Sequence, residues 1–166
     1  MDQSKYKISS ERAIENLIAQ YTHLLDKGDF AGIGTLFTHG RIGSFGAFTE
    51  GADIEKMLQS NLQVYPDGTP QTAHVTTNIL IRINEEETSA TAVSYVTIFQ
   101  LDAERSFPLQ PIMVGQYDDS FHQLEGEWHF RERSLTLILT GDLSHHAHPD
   151  GPSAKTLKEN ESNIYK

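Results

Sequence analysis

The sequence predicts an α+β domain in which N-terminal helices cover the concave face of a curved, mixed but mostly antiparallel sheet and enclose a pocket. Apolar residues recur at helical spacing up to about residue 62, and from Ala73 onwards they alternate with polar residues as in β-strands. The predicted strands run to about 10–14 residues, against a usual length of about 5–6, and strands of that length coil and bend.

Three amphipathic helices come first in the chain. The first begins at about Ser10, is capped by Ser9 or Ser10, and ends before Gly28, which suits a left-handed position after a helix. Asp29 can cap a short second helix, and residues 51–62 form the third. Each helix has an apolar stripe that needs a surface to cover, and the sheet that follows supplies it.

The strands begin with one or two short, bent segments in residues 41–48 and continue as four long strands, residues 73–83, 88–101, 113–123 and 128–140. Alternation places Val75 and Ile81 on one face of the first long strand, and His74 and Asn78 on the other. Polar residues on the concave face would line a pocket rather than face water.

The last predicted strand carries Trp128, Phe130 and Ile138 on one face. A sheet of this length with large apolar side chains on one face has more apolar surface than three short helices can cover. The sequence therefore predicts a homodimer that buries this surface.

The stretches predicted to lie outside regular structure include one loop before a long strand and the end of the chain. Pro108 and Pro111 indicate a loop before the third long strand. From Gly141 the chain becomes polar and loses its apolar periodicity. We therefore expect one domain over residues 1–141 and a polar C-terminal tail over residues 142–166, either disordered or laid over a neighbour.

Composition and charge argue against several classes of protein. The 166 residues include 13 basic and 23 acidic ones, a formal net charge of −10, which argues against nucleic acid or an anionic membrane as a partner. The chain has no cysteine and therefore no disulfide, thiol nucleophile or thiolate metal site. The N-terminus has no apolar signal core and no run of residues is long enough to span a bilayer, which predicts a cytoplasmic protein.

Asp26 is unusual in the first helix because it lies in the last turn and off the apolar stripe. The negative end of the helix dipole disfavours a carboxylate there. We therefore expect this carboxyl to hold its proton more tightly than usual, unless Lys27 or solvent relieves it, and its neutralisation to leave stability unchanged or higher. The alternative is a solvated carboxylate at a helix end.

Four other residues are candidates for a ligand site. His74 can act as acid or base at neutral pH, and Asn78 could orient a carbonyl, although their face of the strand could equally be exposed to solvent. Tyr117 can donate a hydrogen bond to an oxyanion in a pocket; packing within the sheet is the alternative. Arg133 lies inside an otherwise apolar strand face and needs a carboxylate partner or a pocket.

Three histidines, His145, His146 and His148, lie close together near the end of the chain and could hold a transition metal. The sequence around them supplies no carboxylate-rich or structured context. We therefore predict no metal site.

The residues assembled so far, in this order, resemble the SnoaL-like branch of the nuclear-transport-factor-2-like superfamily. The resemblance rests on residues 21–30, 36–37, 72–78, 115–121 and 128–133, and it covers about residues 8–140. It implies a cone-shaped α+β barrel with a deep pocket, usually in a homodimer packed through its sheets.

The resemblance also implies a chemistry. Enzymes of this group that are similar to scytalone dehydratase and bile-acid 7α-dehydratase eliminate water from hydroxylated rings by a histidine–aspartate pair, without metal or cofactor. Their aspartate at the end of the first helix matches Asp26, the tyrosine before it matches Tyr21, and the strand histidine matches His74.

We therefore expect a lyase (dehydratase) or isomerase that needs no metal or cofactor and acts on a hydrophobic cyclic small molecule. Asp26 would hold His74, which removes a proton next to a carbonyl or phenol. The alternative is a non-catalytic small-molecule-binding or partner subunit with the same pocket. Five further residues are predicted to bind the substrate, the tyrosines by stabilising charge on oxygen and the others by positioning the ligand: Tyr21, Asn78, Tyr95, Tyr117 and Arg133.

Overall fold

Helices precede the long strands in the computed structural model, which describes residues 8–44 and 47–152. The helices are α1 (Ser10–Asp26), α2 (Phe30–Leu36) and α3 (Asp53–Asn61). The strands are β1 (Arg41–Ser44), β2 (Ala47–Glu50), β3 (Thr72–Ile83), β4 (Ser89–Asp102), β5 (Phe107–Leu124) and β6 (Glu127–Thr140). Residues 45–46 of the predicted short strands and residues 153–166 of the predicted tail lie outside the described residues.

The described strands form a six-stranded sheet in the order β2-β1-β6-β5-β4-β3. Strand β1 runs parallel to β6, and the other neighbouring pairs are antiparallel, so the predicted α+β class with a mixed, mostly antiparallel sheet is confirmed. Register shifts in the long strand pairs bend the sheet around the helices. The core lies between the two layers and includes side chains that are at most 1% exposed: Ile14, Ile18, Ile33, Phe37, Val96, Phe121 and Phe130.

A β-bulge in β3 changes which residues face the core. Between Thr77 and Leu80, two residues of β3 lie opposite one residue of β4. Asn78, inside the bulge, has φ +53°, a left-handed conformation that asparagine tolerates better than most residues. As a result Ile81 packs against the core while Val75 is 44% exposed, so the predicted common face of these two residues is wrong.

A second bulge has the same effect in β6. The pairing with β5 shifts at Arg131, which reverses the alternation. Trp128 and Phe130 are buried in the core before the bulge, and Arg133 is buried after it, whereas Ile138 is 47% exposed. The prediction that Trp128, Phe130 and Ile138 share a face is therefore wrong.

The strand β5 is longer than predicted. It begins at Phe107, so Pro108 and Pro111 lie in the strand and not in a loop. Shifts in the register of β5 against β4 fall in this part of the strand and accommodate residues that cannot donate a ladder hydrogen bond.

In the part of the chain that the structure describes, no helix is long and apolar enough to cross a bilayer.

Candidate active site

A cavity of about 470 Å³ is lined by α1, α3, the sheet and residues 142–152, which we call the C-terminal segment. This volume lies in the range of small-molecule sites, roughly 300–1,000 Å³. The polar lining side chains include four of the predicted site residues: Tyr21, His74, Tyr117 and Arg133. The apolar residues supply much of the wall: Leu25, Ile42, Met57, Leu58, Leu62, Ile98, Met113, Leu135, Leu137 and Leu143.

Asp26 and His74 form a hydrogen-bonded pair at the cavity wall. Nδ1 of His74 lies 2.5 Å from Oδ1 of Asp26. The His74 side chain is 2% exposed, and the Asp26 side chain 24%. With Nδ1 held by the carboxylate, Nε2 is the ring nitrogen left for a ligand.

The pair forms where the end of α1 meets the beginning of β3. Gly28, with φ +71°, ends the helix. A Cβ at this position would lie 2.2 Å from the carbonyl oxygen of Gly68, so the close approach of the loop after α1 to the loop before β3 requires glycine at position 28. Strand β3 is at the edge of the sheet, where outward N–H groups have no neighbouring strand. Asp26 accepts such a hydrogen bond from the backbone N–H of His74 at 2.9 Å and another from Thr72 Oγ1 at 2.9 Å.

These contacts decide the charge of Asp26. Burial alone would raise the pKa of Asp26, but the hydrogen bonds and charge of His74, together with the Thr72 hydroxyl, lower it below its ordinary value. The carboxyl is therefore ionised at neutral pH. The expectation that Asp26 holds its proton more tightly is wrong, because these hydrogen bonds outweigh the dipole at the end of α1.

Arg133 is fully buried beside the cavity and pairs with Asp119. Its Nε and Nη2 donate to the two carboxylate oxygens of Asp119 at 2.8 and 2.7 Å. Burial alone would lower the pKa of Arg133, but the charge and hydrogen bonds of Asp119 raise it, so the guanidinium stays charged. The remaining nitrogen, Nη1, is buried and has no hydrogen-bond partner among the described residues.

Two tyrosines flank this guanidinium. The Arg133 Cζ atom lies 4.1 Å from the ring centroid of Tyr117 and 4.4 Å from that of Tyr21, which are cation–π contacts. Burial raises the pKa of Tyr21, and raises that of Tyr117 well above its ordinary value. Both side chains are therefore phenols at neutral pH and can donate hydrogen bonds to a ligand oxygen.

Two predicted site residues lie elsewhere. Asn78 is exposed and does not line the cavity, because it sits in the bulge that reverses the alternation of β3. Tyr95 is 41% exposed and also does not line the cavity, since it alternates with Ser94 and Val96, which are buried against the core. The structure thus brings together Asp26, His74, Tyr21, Tyr117 and Arg133, and separates Asn78 and Tyr95 from them.

The described part of the predicted tail packs on its own domain. The His145 ring stacks on Phe107 with ring centroids 4.4 Å apart, and its Nδ1 lies 2.9 Å from Oδ2 of the buried Asp102. The backbone oxygen of His145 accepts hydrogen bonds from Gln100 Nε2 at 2.8 Å and from Tyr65 Oη at 2.7 Å. These contacts fix the C-terminal segment over the cavity.

His146 is a cavity residue that sequence reasoning missed. Its ring lines the cavity, and the ring centroid lies 6.5 Å from that of His74. In the sequence, the three closely spaced histidines suggest only a metal site. In the structure their side chains point in different directions, because His145 faces Asp102 and His148 is exposed. Within the described residues, no group of three histidine, aspartate or glutamate side chains is placed to hold a metal ion. No local pattern in the sequence indicates that the His146 side chain points into the cavity, because its orientation depends on contacts with residues distant in the sequence.

A bent sheet covered by helices, with a histidine–aspartate pair on the wall of an apolar cavity, defines a protein of the cystatin-like α+β class. The family model for the SnoaL-like domain matches residues 7–134, and the chain belongs to this family. The predicted resemblance is therefore confirmed. Among curated proteins, none matches the chain.

Solved structures with this fold support the same class. A candidate scytalone dehydratase from Novosphingobium aromaticivorans is 25% identical, with 80% of this chain and 86% of that chain covered and a TM-score of 0.62. An NTF2-like protein with a cystatin-like fold from the same organism is 18% identical, with 77% and 81% covered and a TM-score of 0.60. The association domain of Caenorhabditis elegans CaMKII is 15% identical, with 76% and 94% covered and a TM-score of 0.61.

Proposed function

We propose that this protein is a lyase of the dehydratase type, or an isomerase, that acts on a hydrophobic cyclic small molecule without a cofactor. The observation that carries the proposal is the hydrogen-bonded pair of Asp26 and His74, with the His74 ring on the wall of a largely apolar cavity. An oriented imidazole in a site sheltered from water is the usual arrangement of a general base. The likeness to a candidate scytalone dehydratase agrees with this chemistry.

The first step is removal of a proton from a carbon next to a carbonyl or phenol. With a carbonyl ligand, Nε2 of His74 takes the proton, the electron pair of the C–H bond forms a C=C bond while the π pair of the C=O bond moves to the oxygen, and the ionised Asp26 stabilises the imidazolium that results. The fixed geometry of the pair means that no reorganisation is needed when this charge appears.

The negative charge that develops on the ligand oxygen needs donors. The unpaired Nη1 of Arg133 and the phenols of Tyr21 and Tyr117 are the polar groups placed to supply them. In a dehydration, the enolate then re-forms its carbonyl and expels hydroxide from the next carbon, and the proton on His74 leaves with it as water. In an isomerisation, His74 returns the proton to another carbon of the ligand.

The proposal can be tested with bicyclic ketones that suit an apolar cavity. 3-Hydroxy-1-tetralone loses water to give 1-naphthol, which is followed by fluorescence, and exchange of the C2 protons of 1-tetralone in D₂O, followed by NMR, reports proton removal without a leaving group. We expect the wild type to accelerate at least one of these reactions and His74→Ala to abolish the acceleration. Tyr117→Phe should lower kcat by about 10²-fold, as the loss of an oxyanion donor does.

Tyr95→Phe is the matched control, because this tyrosine lies outside the cavity. It should leave both reactions unchanged. If the wild type binds the tetralones but catalyses neither exchange nor dehydration, on these or on other β-hydroxy ketones of one or two rings, the protein is a non-catalytic binder and the proposal fails.

We further propose that the chain forms a homodimer through the outer face of its sheet. This face, turned away from the helices, exposes apolar side chains from β3, β4 and β6 that a second copy can cover. They are Val75, Leu80, Tyr95, Leu101 and Leu139, each more than 40% exposed. The association domain among the similar structures shows this fold in a protein that assembles.

A further inference from the structure

The C-terminal segment brings a second imidazole to the cavity. His146 follows His145, which is held by Asp102, and on its other side Ala147 pairs with Leu62 at the end of α3. The ring of His146 is therefore fixed from both sides by neighbouring residues. It lies close enough to His74 to contact the same ligand, since the two ring centroids are 6.5 Å apart.

The Nδ1 atom of His146 is buried and, within the residues that the structure describes, has no hydrogen-bond partner. Buried polar nitrogens nearly always have one, in the protein, in water or in a ligand. Burial lowers the pKa of His146 to about 4, and the nearby His74 acts in the same direction. The ring is therefore neutral at physiological pH and offers one hydrogen bond at Nδ1, as donor or acceptor according to its tautomer.

The cavity has a second buried nitrogen of this kind, Nη1 of Arg133. The two differ in charge, because the guanidinium carries a positive charge and the imidazole of His146 does not. An oxygen with negative charge suits Arg133, and a neutral oxygen suits His146. Much of the remaining wall is apolar.

We propose that His146 binds a neutral oxygen of the ligand, a hydroxyl or a carbonyl, and so selects apolar ring compounds with an oxygen on this side of the cavity. This inference deepens the proposed function and rests on it in one respect, that the cavity takes a small-molecule ligand. It does not depend on turnover, because it concerns affinity alone.

Three probes of similar shape test it: naphthalene, 1-naphthol and 1-tetralone. Their dissociation constants are measured by NMR titration for the wild type, His146→Phe and His146→Asn. We expect the wild type to bind at least one oxygenated probe about tenfold or more tightly than naphthalene, as one hydrogen bond to a buried group allows. His146→Phe should lose most of that ratio with little change for naphthalene, and His146→Asn, whose amide takes the place of Nδ1, should restore part of it.

The matched control is His148→Phe, which changes an exposed histidine two residues further along the same segment and should keep the full ratio. Equal affinity of the wild type for all three probes, no binding of any of them, or a ratio that survives in His146→Phe would overturn the inference. So would an equal loss of all three probes in that variant, which would indicate packing and not hydrogen bonding. His74→Ala should abolish catalysis but keep the oxygen preference, so failure of the proposed reaction and failure of this inference give different results.

Discussion

Asp26 has two tasks at the scale of the single residue. It orients the imidazole of His74, and through the backbone N–H of His74 and the Thr72 hydroxyl it ties the start of β3 to the end of α1. The same three hydrogen bonds that make it a carboxylate at neutral pH also make it part of the fold. The proposed catalysis and the stability of the fold therefore depend on the same side chain and do not oppose each other, contrary to what its position in α1 indicates.

The first prediction concerns the pair as a catalytic unit. His74→Ala should lower kcat/KM by about 10²- to 10⁴-fold, the usual contribution of a general base. Asp26→Asn should cost a similar factor, because the amide cannot stabilise the imidazolium or hold the same tautomer. The double variant should be little worse than either single one, since the two residues act through one proton transfer. Steady-state kinetics of the four proteins measure this; losses that multiply would mean that Asp26 and His74 act independently.

The second prediction concerns stability. An asparagine at position 26 offers one acceptor oxygen to three donors, and its NH₂ would face at least one of them. We expect Asp26→Asn to lower the free energy of unfolding by about 1–3 kcal/mol in urea titrations. This reverses the expectation from the sequence that neutralisation is harmless.

Asp53→Asn is the control for Asp26→Asn, because Asp53 is a carboxylate at the start of α3 that is 74% exposed and makes a surface ion pair with Lys56. It should change stability little. Equal stability of Asp26→Asn and the wild type would show that the hydrogen bonds around Asp26 contribute nothing net.

The third prediction is the effect of His146 on the pH dependence of folding. The unfolded chain takes up a proton here near the ordinary pKa of 6.5, but the folded chain only near 4. Between these values the unfolded state binds more protons, so stability falls as the pH is lowered from about 6.5 to about 4. Asp26 titrates below its ordinary 3.8 and stays outside this window.

The test compares unfolding of the wild type and His146→Phe at steps from pH 7.5 to pH 4. The stability of the wild type relative to the variant should decline across this range by at most about 3 kcal/mol, which corresponds to the difference between pKa values of 6.5 and about 4. His148→Phe, at an exposed position, should track the wild type at every pH. A difference between wild type and His146→Phe that does not change with pH contradicts the burial of this imidazole.

At the scale of the element, single extra residues decide what each strand contributes to the site. The alternation of apolar residues predicts β3 and β6 as strands. A bulge leaves the alternation intact before and after the extra residue, but it moves the residues after the bulge to the opposite face of the sheet. This is why Asn78 could not be separated from His74 by pattern alone. In β6 the shift at Arg131 turns Arg133 toward the cavity. The sequence already indicates that Arg133 needs a carboxylate partner, and Asp119 is that partner.

The C-terminal segment is an element that lacks regular secondary structure and depends on a few anchors. The fourth prediction is that His145→Ala releases it, because the change removes both the stack on Phe107 and the hydrogen bond to Asp102. Amide hydrogen exchange should become faster at residues 143–152 and at Gln63, whose N–H donates to the carbonyl of His146.

In the same His145→Ala protein, amides of β5 and β6 should keep their protection, which shows that the fold survives. His148→Ala, in the same segment but exposed, is the matched control and should change exchange little. Unchanged exchange at residues 143–152 in His145→Ala would mean that other contacts hold the segment.

At the scale of the whole molecule, the order of the elements predicts the architecture. Amphipathic helices followed by long strands have few ways to bury their apolar faces. The simplest is an arrangement in which the helices pack over a curved sheet. The parallel pairing of β1 with β6 joins residues some ninety positions apart, and nothing local in the sequence indicates it. The cavity likewise depends on walls from α1, α3, the sheet and the C-terminal segment together, so only its polar residues on regular strands and helices were predictable.

The last prediction is the homodimer. We still expect two copies of the chain to associate, but through a different interface from the one that the sequence indicates. The sequence argument for the homodimer rested on Trp128, Phe130 and Ile138, of which the first two are core residues and the third is 47% exposed. The exposed apolar side chains on the outer face of the sheet, among them Tyr95 and Leu139, remain to be covered. Light scattering after gel filtration at micromolar concentration should give twice the 18.6 kDa mass of the chain. The double variant Tyr95→Glu with Leu139→Glu should be monomeric, because burying two carboxylates without partners costs more than the interface returns. Val64→Glu, which adds a charge at a 44% exposed position in the loop after α3, should stay dimeric. A monomeric wild type would exclude the dimer, and a dimeric double variant would place the interface on another face of the molecule.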